Sequence, residues 1–156
     1  VVTGPRRYTT AFDASEALAN ILDGEMANPT VLWGLAGEPE AAAEELVSVG
    51  DVEPPSEQET AALGLSPAPR RREEYVVEVV VDVAKYTSTH AVVNRRCRDI
   101  TQDIERSVDE HPTLDGALHD DGWCVPQRLR ISQMRDTESG AFRTIAHLRV
   151  FATARI

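Results

Sequence analysis

The sequence is short of several things, and each shortage excludes something. It has two cysteines, eight aromatic residues and a single lysine, Lys85, in 156 residues. Two cysteines, Cys97 and Cys124, allow one bridge at most. A chain this long needs no covalent staple, so the expectation is reduced thiols in a cytosol. No apolar run approaches the roughly 20 residues that cross a bilayer, so no membrane partner is expected. Val1–Tyr8 has no apolar signal-peptide core, so secretion is not expected. Positive charge is also scarce, with 16 Lys+Arg against 26 Asp+Glu and a formal net charge of −10. A nucleic-acid binder must replace counterions on phosphates with its own cations, and this chain has no such surplus. Fifteen of the sixteen cations are arginine, which reads as codon bias in a GC-rich genome.

The length suits one domain over residues 1–156. Charge is distributed unevenly along it. Residues 1–69 hold twelve acids and two bases, net −10, whereas residues 70–156 hold fourteen of each.

Apolar spacing gives the elements. Ala14, Leu18, Ile21 and Leu22 form one stripe of a first helix, with Asp13 or Ser15 as its cap and Gly24 beyond its end. Thr30–Trp33 and Leu46–Val52 read as strands, with Gly50 a bulge in the second. Residues 53–72 contain four prolines and few large apolar side chains. A connection of about 20 residues is unusual in a compact domain unless it serves a partner or a site, the alternative being a disordered spacer. Tyr75, Val77, Val79, Val81 and Val83 then alternate with Glu74, Val76, Glu78, Val80 and Asp82, the pattern of a strand with one apolar and one mixed face. Thr89 opens a long helix to about Glu110, with Val93, Cys97, Ile100, Ile104 and Val108 on one stripe, and His111-Pro112 stops it. Cys124–Met134 and Ala141–Ile156 are the last strands, joined by a hairpin turn at Asp136–Gly140. The order α-β-β-β-α-β-β predicts an α+β fold, a mostly antiparallel sheet with helices packed on one face.

Chemistry-bearing residues are few. His111, Asp115 and His119, with Asp120 and Asp121 beside them, are the one group of metal-ligand types, but their spacing fits no standard metal motif. A small metal-dependent enzyme using His111, Asp115 and His119 is therefore the less favoured class. Cys97 falls in an apolar stripe, and neither a phosphate-binding glycine loop nor a nucleophile elbow occurs. No catalytic residue, cofactor or metal is predicted. The long helix carries Arg95, Arg96 and Arg98 early and Asp109 and Glu110 late, which opposes the helix dipole. Two readings fit. One is a solvated face with pairs such as Arg95–Asp99 and Arg106–Glu110; the other is arginines meeting an acidic surface on a neighbouring copy, the net −10 first segment supplying that surface.

The run from Tyr75 through the long helix into His111-Pro-Thr-Leu-Asp-Gly, followed by a strand pair, resembles the tail terminator (tail completion) proteins of long-tailed bacteriophages. The first helix, the strand at Thr30–Trp33 and the segment Val47-Ser-Val-Gly-Asp-Val fit the same pattern, so the similarity spans roughly 12–155. Pro112-Thr-Leu-Asp-Gly116 matches a P-x-L-x-G turn in such proteins, where Gly116 suits a positive φ. The resemblance implies a structural virion protein and no enzyme. It implies a homo-oligomeric ring, hexameric in that family, assembled in the host cytoplasm and carried in the tail or neck of the virion. The ring stops polymerisation of the tail tube protein and provides the head–tail joining surface for a connector or neck protein. DNA passes through its lumen without specific binding. Carried onto this chain, Arg95, Arg96 and Arg98 become subunit contacts. Glu53, Pro54, Pro55, Leu63, Leu65, Arg70, Arg71 and Arg72 become parts of a partner-docking loop. Another head–tail connector or minor tail protein is the nearest alternative.

Overall fold

The computed structural model describes residues 9–34, 43–56, 59, 63, 72–86, 89–119, 121–135 and 140–155. Helix α1 spans Ala11–Glu25, followed by strands β1 (Thr30–Trp33), β2 (Glu45–Glu53) and β3 (Arg72–Lys85). Helix α2 spans His90–Glu110, and strands β4 (Trp123–Arg135) and β5 (Phe142–Arg155) complete the order. The chain is α+β, as the periodicities predict. Among the described residues no helix is long and apolar enough to cross a membrane.

The five strands form one sheet in the order β1-β2-β3-β5-β4. Only β1 and β2 run parallel; every other neighbouring pair is antiparallel. Register follows the alternation. Val47 faces Val81, Val79 faces Leu148, and Leu148 faces Leu129, so one sheet face is continuously apolar. The bulge expected at Gly50 is present as a register shift between Val49 and Val52.

Both helices pack on that apolar face. The stripe Ala14, Leu18, Ile21 and Leu22 of α1 and the stripe Val93, Cys97, Ile100, Ile104 and Val108 of α2 are buried in one core with Val77, Val79, Val81 and Val83. Burying each large aliphatic side chain contributes about 1.5–3 kcal/mol, so the two stripes bind helices to sheet with no need of the cysteines. Cys97 and Cys124 are free and buried. Leu114 and Leu118 close the end of the core below the turn that follows α2.

The α1 terminus differs from expectation. Its N-cap is Thr10, not Asp13 or Ser15, and Gly24 lies inside the helix. Thr10 makes no side-chain cap bond, because its hydroxyl lies 3.0 Å from both Glu73 Oε2 and the Tyr75 hydroxyl. The Thr10 backbone N–H instead donates to Glu73 Oε2 at 2.9 Å. A carboxylate from β3 thus holds the N-cap residue and complements the helix dipole, while the Thr9 hydroxyl accepts from Ala11 N–H at 3.1 Å. Ser15 is buried and accepts from the Trp33 indole N–H at 3.0 Å.

The α2 boundaries agree with the sequence reading. The Thr89 hydroxyl accepts from Val92 N–H at its start, and His111 is its C-cap. Gly116 has φ +90°, the left-handed conformation anticipated for the Pro112–Gly116 turn, and Leu114 and Asp115 are left-handed too. Gly122 is confined in another way: a Cβ there would lie 2.0 Å from the Leu118 carbonyl oxygen and 2.7 Å from that of Thr153.

Candidate functional site

The three clustered arginines of α2, Arg95, Arg96 and Arg98, do not act alike. Arg96 forks onto Glu45 of β2, its Nη2 2.9 Å from Oε1 and its Nε on Oε2, and Lys85 Nζ lies 3.9 Å from the same carboxylate. Glu45 is only 10% exposed, so this is a shielded, two-pronged pair of the stronger kind. It keeps Arg96 engaged within its own chain. Arg98 points to solvent with a weak contact to Asp99 at 3.1 Å, and Arg95 is exposed and makes no ion pair among the described residues. The expected pairs Arg95–Asp99 and Arg106–Glu110 are replaced by Arg98–Asp99 and Arg106–Asp103.

The connection after β2 carries more structure than its composition indicates. Glu53 ends β2 and Arg72 begins β3, so both belong to the sheet. Pro54 is exposed and Pro55 half-buried, whereas Leu65, Arg70 and Arg71 lie outside the described residues. Its anchor is a residue the sequence reading passed over. Glu59 is 4% exposed, and both its oxygens receive the Arg149 guanidinium, at 2.8 and 2.9 Å. Arg149 also donates to Glu53. Ser56 and Glu59 form a reciprocal cap, with Ser56 N–H on Glu59 Oε1 and Glu59 N–H on Ser56 Oγ, each at 3.1 Å. Leu63 N–H then donates to the Glu59 carbonyl at 3.2 Å. The signal was present as Ser56-Glu-Gln-Glu59, the S-x-x-E spacing of a capping box.

Glu59 is thereby anchored on the sheet face away from the helices. Arg149 is opposite Glu78 in the ladder, and two residues further on Phe151 is opposite Val76. Both apolar residues are fully buried although they face away from the main core, with the Trp123 ring 5.4 Å from that of Phe151. The hydrogen bonds from the Arg149 guanidinium, with those from Ser56, hold Glu59 down at a pKa of about 2. The same pair raises the arginine.

The less favoured metal grouping of His111, Asp115 and His119 is not brought together among the described residues. His111 Nδ1 meets Asp115 Oδ1 at 2.9 Å, but its Nε2 meets Glu25 Oε1 at 2.6 Å. Glu25, Glu110 and His111 are the ligand-type side chains that converge among the described residues, and His119 does not join them. His119 has a left-handed backbone, φ 62°, and its Nε2 is buried without a hydrogen bond. The His111 cluster is therefore a clasp between the ends of α1 and α2. Hydrogen bonds that the His111 ring donates to Asp115 and Glu25 raise its pKa, and those that Glu25 accepts from Ser107 and His111 lower the pKa of Glu25.

These contacts revise how the uneven charge is disposed. Glu25, Glu45, Glu53 and Glu59, all from the acidic first segment, pair with His111, Arg96, Lys85 and Arg149 of the second. Part of the neutralisation expected across subunits thus occurs inside each chain. Arg95, without an ion pair among the described residues, and Arg98, bonded only to its exposed neighbour Asp99, are the cations of the cluster that the first segment leaves unmatched. Scanned against protein-family models and against curated proteins, the chain matches neither.

Proposed function

We propose that this chain is a structural virion protein that forms a ring on the end of a phage tail tube, stops tube polymerisation and offers the surface that joins the head. The observation that carries the reading is the order of elements. A long helix leads into a Pro112–Gly116 turn with Gly116 at φ +90° and then into a strand pair, the pattern that the resemblance to tail terminators implies. The formal charge of −10 supports it. A lumen lined by unpaired acids repels DNA phosphates, so a genome passes without adhering.

The test is native mass measurement and negative-stain imaging of the purified protein, alone and with tail tubes. Rings, free or seated on tube ends that then stop elongating, are the expected result. A strict monomer that never binds tubes overturns the proposal.

A further inference from the structure

Building on that ring reading, we infer that its subunit interface continues the sheet from copy to copy. Strand β4 of one chain pairs antiparallel with β1 of the next, and the next chain's Phe12 and Trp33 roof the groove over β4.

The groove exists because two helices cannot cover five strands. Strands spaced about 4.8 Å apart make a sheet about 24 Å wide, and two helices about 10 Å across cover about 20 Å. The strand left partly uncovered is β4. Leu129 and Ile131 stand opposite the buried Leu148 and Ala146 on the helix-bearing face, yet are 44% and 56% exposed. With Cys97, Arg98, Thr101 and Gln102 of α2 they line a mainly apolar groove of about 250 Å³. The opposite edge carries the complement. Trp33, opposite the core residue Val49, is 50% exposed, and Phe12 at the start of α1 is 70% exposed. Both apolar sets lie in the helix layer, one at each edge of the sheet.

Strand direction fits a side-by-side arrangement. β1 runs with β2, and three antiparallel steps separate β2 from β4. So β4 and β1 run in opposite senses, and an unflipped neighbour presents its β1 antiparallel to β4. Among the described residues no strand pairs with either outer edge.

Charge selects this pairing over the two self-pairings. Residues 11–33 carry Asp13, Glu16, Asp23 and Glu25 with no cation, and residues 123–135 carry Arg128, Arg130 and Arg135 with no acid. Glu25 is already held by His111 within its own chain, so joining β4 to β4 sets three positive charges against three, and joining β1 to β1 sets three negative charges against three. Only the head-to-tail contact opposes unlike charges. Such a contact uses two different patches, and repeated it closes into a ring when the rotation from copy to copy divides a full turn.

Two variants with one edge disabled each test this. Ile131→Asp disables β4, and Phe12→Asp with Trp33→Asp disables β1; Phe12→Asp alone serves if the double variant loses its wild-type circular dichroism. At a concentration where the wild type assembles, each variant alone stays monomeric by native mass spectrometry. Mixed, they pair through their one intact edge of each kind and give a species of twice the 17.1 kDa chain mass. Wild-type-like rings from either variant overturn the interface and leave the ring reading standing. A self-dimer of the Phe12 variant overturns it in favour of β4–β4 pairing. A wild type that stays monomeric at millimolar concentration and on tubes overturns both.

Discussion

Replacing Glu59 by Gln removes one negative charge from a nearly dry site while keeping the shape of the side chain. In the wild type that carboxylate holds the Arg149 guanidinium with both oxygens and is 4% exposed. Its pKa falls from 4.5 to about 2, a difference worth about 3 kcal/mol to the folded state. The sign is that of a depressed acid. The stabilisation is complete above about pH 4.5 and is lost as pH falls through about 2. Urea unfolding followed by circular dichroism should therefore show E59Q less stable by about 3 kcal/mol at pH 7 and by about 1.5 kcal/mol at pH 3. Other carboxylates titrate alike in both proteins and cancel in the difference. An equal penalty at the two pH values would refute the electrostatic account, and a penalty under about 0.5 kcal/mol at pH 7 would place the pair among inconsequential surface bridges.

Reversing Arg95 and Arg98 together to Glu should lower ring formation in light scattering, because these are the exposed arginines of the α2 cluster; unchanged assembly would remove them from the interface. Gly122→Ala drives a methyl group against two backbone carbonyl oxygens. It should cost about 3 kcal/mol, a fall of roughly 10 °C in melting temperature; a melt within 2 °C of wild type (~0.5 kcal/mol) would contradict the close packing. His111→Ala should cost about 0.5–1 kcal/mol near pH 5.5. His111 has a raised pKa, so its contribution is present below its ordinary value of 6.5 and disappears as pH rises through the folded value. The gap between the two melting curves should accordingly close by pH 9.

The fold was legible where burial is periodic. β3 and α2 declare themselves because every second or every third-to-fourth residue is apolar over a long stretch, and tertiary packing uses those stripes unchanged. The turn at Gly116 was legible because few residues other than glycine adopt its φ at low cost. What stayed hidden involves partners distant in sequence. Glu73 holds the N-cap residue of α1 from 63 residues away, and Arg149 reaches Glu59 across 90. Neither end of such a contact carries a local mark. The same holds for the parallel pairing of β1 with β2, and for the engagement of Arg96 by Glu45. Ser56-Glu-Gln-Glu59 is a different case. Its spacing was visible, but the prolines around it drew attention to a connection instead of to a reciprocal cap.

The order of the sheet also bears on how the chain reaches its native state. β5 is the last described element in sequence, yet it lies between β3 and β4. On a ribosome, α1, β1, β2, β3 and α2 all emerge before the strand that joins β3 to β4 exists. Until then β3 presents a fourteen-residue valine-rich edge with one side unpaired, a template for association with other nascent chains. α2, made of contacts local in sequence, forms early and shields one face of that strand while it waits. Completion of the sheet is thus a late, long-range event. A block to β5 insertion should appear as aggregation during synthesis sooner than as a loosened native state.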